Sequence, residues 1–404
     1  MKNFLTGVSC LLLTALLFGT ASGCGQAEPA PTELASAEPA PVETPSPAPG
    51  DSVAAREVEE YVTPRPDSVW IGDHRISRDA EELDLSFMTK DHVEEAANAL
   101  VLLEKLRYVD LGAASEEDEN ALTIGDVLCL REANPAADFA FRFSLYGVEL
   151  STLDEELVFK GIKMEDEGAA VREILPCMTH CTYLDMDGCG VSNEAMAAIR
   201  DDFSTIKVVW FVTFGRVYGA RTDATKILAS DYNRLNTENT RELQYFTDLK
   251  YLDLGHNHID DISFVSYMPE LEVAILALND WSDCSPLANC TNLEYLEIFT
   301  TQCSDISPLA GLTNLRHLNI VNLPELEDIT PLYGLTGLER LWLGRVNKVP
   351  QEQKDAICQL LPDCEINLTA ADPGRSGWRD HPRYQLLRRQ LGYDKLEYTY
   401  DPNR

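Results

Sequence analysis

The chain has 404 residues, 45% hydrophobic and 25% charged, enough for one large repeat domain or two ordinary ones. Lys and Arg number 33 against 67 Asp and Glu, a formal net charge of -34. So large an acid excess argues against nucleic acid and against an anionic membrane surface as partners, and suits a soluble, exposed protein.

Residues 1–23 predict an export signal. Met1-Lys2-Asn3 is a barely positive start, residues 4–18 are an apolar run, and small residues lead up to Cys24. The run is too short to span a bilayer comfortably. Ala21-Ser22-Gly23-Cys24 resembles a bacterial lipoprotein box, although Ala21 stands where Leu is commonest. The resemblance implies acylation of Cys24, which would hold the protein by lipid alone at the outer face of the cytoplasmic membrane or on the cell surface. Residues 24–67 are rich in Ala, Pro and Glu, too poor in apolar surface to fold, and predict a disordered tether.

Residues 68–224 are duplicated. Glu81-Glu82-Leu83-Asp84-Leu85 matches Glu155-Glu156-Leu157-Val158-Phe159, and Tyr108-Val109-Asp110-Leu111-Gly112 matches Tyr183-Leu184-Asp185-Met186-Asp187. Residues 141–147 likewise match 209–215. Apolar residues three and four apart predict helices over 92–106, 167–175 and, capped by Ser192, 193–203. Strands alternating with helices predict a parallel sheet with helices outside, here as long, degenerate repeats.

Residues 225–368 carry the strongest pattern. Leu249, Leu271, Leu293, Leu315 and Leu338 open successive repeats at intervals of 22, 22, 22 and 23 residues, in the frame L-x-x-L-x-L-x-x-N-x-I. Asn257 and Asn279 fill the amide slot, where they can satisfy buried loop backbone. The Asp305-Ile306-Ser307-Pro308-Leu309 and Asp328-Ile329-Thr330-Pro331-Leu332 endings are similar to the repeats of internalin-type bacterial leucine-rich-repeat proteins. That resemblance covers about a quarter of the chain. It implies an α/β leucine-rich-repeat solenoid: a curved, right-handed parallel β-sheet with helices and turns on the convex side. The simplest arrangement is one continuous solenoid over 68–368, with a helix over 238–246, a closing helix over 351–361 and a last strand over 364–367.

Of eleven cysteines, nine lie beyond Cys24. Cys189 falls in an asparagine slot, and Cys284 and Cys303 in isoleucine slots, so core packing accounts for them. Cys358 and Cys364 are the best disulfide candidates, with Cys177 and Cys181 a weaker pair. No catalytic motif, cofactor loop or paired metal-ligand spacing is present. His256, His258, Asp260 and Asp261 have ligand chemistry but fall in a repeat turn. Asp185-Met186-Asp187-Gly188, similar to the start of a calcium loop, also falls in a repeat frame.

The residues beside the inward leucines predict a site on the concave face: Tyr251, Ile275, Leu278, Tyr295, Phe299, Val321, Arg340 and Trp342. Read as an exposed apolar and aromatic patch on a monomer, they point to an unidentified protein or glycan partner. The predicted function is therefore a non-catalytic, lipid-anchored surface binding protein, needing no cofactor or metal. A structural or envelope-assembly role, by self-association or wall contact, is the alternative. Residues 369–404 form an Arg-rich tail whose G-W-R-x-H-P-R-Y stretch resembles tails of leucine-rich-repeat lipoproteins of Gram-positive gut anaerobes. It is expected to dock on the acidic solenoid and so could cover the face, or else to stay free as a peptide.

Overall fold

The computed structural model describes residues 67–230, 234–372 and 376–393, which fall in one compact unit spanning Arg65–Arg404. The export signal, Cys24 and the proline-rich stretch lie outside the described residues.

A hairpin of β1 (Ser68–Ile71) and β2 (His74–Ser77) opens this unit and buries Val69, Ile71 and Ile76. The first duplicated unit follows as β3 (Glu82–Asp84), α1 (Val93–Leu100), β4 (Tyr108–Ala113), α2 (Ile124–Ala133), β5 (Asp138–Leu145) and β6 (Val148–Ser151). Strands β3, β4 and β5 run parallel, and β6 turns back antiparallel on β5. The second unit repeats the plan with β7 (Glu156–Val158), α3 (Ala169–Ile174), β8 (Tyr183–Asp185), α4 (Asn193–Asp202) and β9 (Lys207–Val209). Its hairpin, β10 (Phe211–Phe214) and β11 (Tyr218–Arg221), forms a separate sheet. The duplication extends to side chains. Thr152 Oγ1 accepts from the Phe141 N–H at 2.9 Å, and Thr222 Oγ1 accepts from the Trp210 N–H at 3.3 Å.

Helices α1, α3 and α4 lie within the predicted stretches but are shorter, and Ser192 caps α4 by accepting from the Ala195 N–H. Helix α2 is additional. Its Thr123–Asp126 capping box was a legible start signal.

The last sheet holds seven parallel strands in strict sequence order. They are β12 (Lys226–Leu228), β13 (Tyr251–Asp253), β14 (Val273–Ile275), β15 (Tyr295–Glu297), β16 (His317–Asn319), β17 (Arg340–Trp342) and β18 (Glu365–Asn367). Short helix α5 (Thr237–Thr240) precedes β13, and α6 (Gln351–Leu360) precedes β18. The other connections are single 3₁₀ turns that stack on one another, and the S-P-L and T-P-L motifs put proline in their first turn, where no N–H is needed. The described residues are thus those of a leucine-rich-repeat protein.

The expected single continuous solenoid needs correction. The apolar core is continuous, but the hydrogen-bonded ladder breaks twice. At the first break β6 occupies the edge of β5 that the next parallel strand would need. At the second the chain leaves β9 for the β10–β11 hairpin before β12 begins a new sheet.

Each short turn reverses at one left-handed residue: His256, Leu278, Thr300, Asn322 and Arg345, with φ between 54 and 62°. In the first four its N–H still reaches the next turn, as in Leu278 N to Phe299 O at 3.0 Å. The following residue then points inward as Asn257, Asn279, Thr301, Leu323 or Val346, all buried. Asn257 Nδ2 donates to the Ala229, Leu254 and Gly255 carbonyls, and its Oδ1 accepts from the Leu235 N–H. In the equivalent slot of the second unit the Cys189 thiol donates to Phe159 O at 3.1 Å.

None of the nine described cysteines is in a disulfide. The expected Cys358–Cys364 bridge is not formed: Cys358 faces solvent from α6, while Cys364 packs against the core. Cys177 and Cys181 are also unbridged, because their thiols donate to different carbonyls, Ile124 and Tyr183.

Replacing Asn257 with Ala would remove the side-chain partner of the Leu235 N–H and of the Ala229 and Gly255 carbonyls, while the Leu254 carbonyl keeps Asn279 Nδ2. The variant is expected to lose roughly 2–4 kcal/mol in urea denaturation, where a loss below about 0.5 kcal/mol would show that the amide is dispensable.

A strand face occupied by the C-terminal segment

Strand register brings the sequence-predicted residues together. Tyr251, Val273, Tyr295, His317 and Arg340 form one outward column, and Asp253, Ile275, Glu297, Asn319 and Trp342 the next. The expectation that they form an open patch is corrected. Tyr295, Phe299, Val321, Arg340 and Trp342 are buried, and Tyr251, Ile275 and Leu278 are half-buried. Leu278 stands apart from the strands, in the left-handed turn, but packs against the same cluster.

The cover is the C-terminal segment 376–393. Helix α7 (Pro382–Leu391) has proline at its first position and a His381 cap whose Nδ1 accepts from the Arg383 N–H, and it ends at left-handed Gly392. Tyr384, Leu387 and Leu391, on one helical stripe, are its buried residues. The sequence reading had the docking but not this helix, although Pro382, the leucine spacing and Gly392 signal it. The chain crosses back over the sheet at Gly344, where a Cβ would lie 1.8 Å from Ala370 O. That close approach admits only glycine.

Trp378, fully buried, is the anchor. Its indole Nε1–H donates to Glu297 Oε1 and to the Tyr295 hydroxyl oxygen, each at 2.7 Å, and the Tyr295 hydroxyl itself donates to Glu297. Its ring centroid is 5.1 Å from that of Trp342. The Arg340 guanidinium lies 4.3 Å from the Trp342 ring centroid and 4.8 Å from that of Trp378. It donates to the Trp378 and Gly377 carbonyls at 3.1 Å each, and through Nε to Glu365 at 2.9 Å. Outer contacts are Arg383 with Glu294 at 2.7 Å and Tyr393 with Asp253. Apolar burial outweighs charge here. A buried indole contributes roughly 4–6 kcal/mol at about 25 cal/mol per Å², and a part-exposed ion pair such as Arg383–Glu294 about 0–1 kcal/mol.

Covering the face perturbs its ionisable groups. Burial raises the Glu297 carboxyl above its usual range despite the two hydrogen bonds it accepts, and lowers His317 to about 3, with His381 and Arg340 adding to the effect. Burial also lifts Asp253 to about 7; Glu297 reinforces this, and the Gly255 N–H, Arg379 and Arg388 oppose it. Asp84 ends its own strand with the same turn, accepting from the N–H two residues on, yet its carboxyl lies below the usual value because Ser86 bonds it and nothing covers it. Three polar atoms under the segment have no partner: His317 Nδ1, Asn319 Nδ2 and Trp342 Nε1. Leaving a buried group unpaired costs about 1–3 kcal/mol.

Elsewhere, His258 Nδ1 lies 2.9 Å from Asp280 and Asp260 bonds Thr237, so these turn residues link neighbouring turns. Asp185 pairs with Arg221 at 3.0 Å and Asp187 with Lys160 at 3.1 Å. Among the described residues no cluster of three His, Cys, Asp or Glu is placed to hold a metal, and no helix is long and apolar enough to cross a membrane.

No protein-family model matches the chain, and no curated protein matches it. Among solved structures it is similar to an internalin from Listeria monocytogenes, at 20% identity and TM-score 0.33, covering 70% of this chain and 86% of that one. It is also similar to internalin C2 of the same organism, at 17% identity and TM-score 0.26, covering 64% of this chain and 81% of that one. A leucine-rich-repeat protein from Leptospira interrogans shows 13% identity and TM-score 0.23, with 67% and 74% covered. The fold assignment rests on the chain's own 22-residue turns.

Because Asp253 titrates higher when buried than when free, the stability it confers is complete below the ordinary carboxylate range. It is lost as pH rises through about 7. Asn fills the same position at 319 and 367 and keeps the turn, so Asp253→Asn should be tolerated. Its stability relative to the parent is expected to grow by about 2–3 kcal/mol between pH 5 and pH 8 in urea denaturation. A constant difference would mean that Asp253 stays ionised in place.

Proposed function

We propose that this chain is a non-catalytic binding protein that recognises an external protein or glycan through the strand face of its short repeats. It is exported and held by acyl chains on Cys24, with residues 24–67 as the tether. One observation carries the reading: the face already holds a peptide, its own C-terminal segment, through a buried tryptophan and two backbone carbonyls. A sheet serving only to close the core would present polar, solvated side chains on this side. Here the outer side has an apolar cluster of its own, separate from the inward core. Recognition of an external partner requires the segment to leave.

The test uses full-length parent, Trp378→Ala and Trp342→Ala chains against purified mucosal glycoproteins, their deglycosylated forms and isolated wall polymer. The Trp378→Ala chain is expected to bind at least one of them at least 10-fold more tightly than the parent, and adding Trp342→Ala should remove that gain. No binding by any chain, with concentration-dependent self-association instead, would favour the envelope-assembly role. Acylation is checked separately. Cys24→Ser should abolish lipid labelling and move the protein from the membrane to the soluble fraction, and membrane retention by this variant would refute the anchor.

A further inference from the structure

The unpartnered atoms under the segment are gathered in one place. His317 and Asn319 share strand β16, Asn319 stands in register with Trp342 on β17, and all three residues are at most 2% exposed. Buried polar groups are otherwise almost always paired, as they are around Asn257. The same slot is well matched elsewhere. Arg340 holds the carbonyls of two consecutive residues, and Glu297 and Tyr295 take an indole N–H. The slot therefore fits a polypeptide carrying a tryptophan, but this segment leaves part of its polar lining unanswered.

We propose that the strand face spanning β15 to β17 is a recognition site for a partner polypeptide. Such a partner inserts a tryptophan and offers acceptors to Asn319 and Trp342, and the chain's own segment 376–393 is the resident occupant it displaces. This rests on the binding reading above and names the class of partner. A polypeptide is favoured over a glycan because Arg340 grips successive backbone carbonyls. A basic flank on the partner suits the rim, where Glu294 already pairs with Arg383 and stays half exposed. Displacement restores partners to two of the three buried atoms, Asn319 Nδ2 and Trp342 Nε1, so a partner need not bury more apolar area than the segment does to compete with it.

The probe is a fluorescein-labelled peptide of residues 376–393, titrated by anisotropy into full-length parent, Trp378→Ala and Leu387→Asp chains. Both variants loosen the resident segment without touching the slot, and unchanged hydrogen exchange in the 22-residue turns confirms their fold. They are expected to bind the peptide at least 10-fold more tightly than the parent, and a peptide carrying Trp378→Ala at least 10-fold more weakly. Peptides selected from a random library on the Trp378→Ala chain should keep a tryptophan, exceed the probe's affinity and lose that excess on Asn319→Leu. Equal binding to parent and variants, no binding at all, or selected peptides lacking tryptophan would overturn the proposal. If the opened chains bind only glycans, the polypeptide assignment falls and the binding reading stands. If the peptide behaves as expected while no external material binds, the site stands and the surface-recognition reading falls.

Discussion

The structure depends on keeping the parallel ladder in register from one turn of the short repeats to the next. Each strand is only three residues long, so a one-residue slip would turn its inward leucine outward. What prevents slippage is the reversal after the strands: a left-handed residue that, from His256 to Asn322, still donates to the next turn, then a residue driven inward. Where that residue is asparagine, one amide bonds several backbone groups at once, four of them in the case of Asn257. Replacing it by Thr, Leu or Val in later turns is possible once neighbouring turns already fix the geometry.

The same register creates the outward columns, and their composition changes along the sheet. Asp84 and Asp185 end strands in the earlier units as turn-forming carboxylates, Asp110 accepts in the same way within β4, and Asp253 begins the series in the seven-stranded sheet. Further on that column becomes Ile275, Glu297, Asn319 and Trp342, which water would solvate poorly as a group. The C-terminal segment meets this need. It covers the apolar end of the face, and burial there moves Asp253 and Glu297 away from ordinary carboxylate behaviour.

The docking is aromatic before it is ionic, although the segment is basic and the chain acidic. Arg340, itself buried, packs against two indoles and spends its donors on carbonyls and one carboxylate. The Arg383 contact at the rim adds direction to the approach more than affinity.

Much of this was legible in the sequence. The 22-residue period, the amide slots, the cysteines acting as core residues, the capped helices and the membership of the strand-face columns all follow from local rules. Spacing sets which side chains point inward, and capping residues set where helices start. Two features were not legible. The first break in the ladder arises because antiparallel β6 takes the edge of β5 that the next parallel strand would need, and edge competition is a property of the assembled sheet. The burial of Tyr295, Phe299 and Trp342 arises because a segment more than thirty residues downstream folds back over Gly344 to cover them. Periodicity tells which face a side chain takes, but only the path of the rest of the chain decides whether water or protein lies against that face.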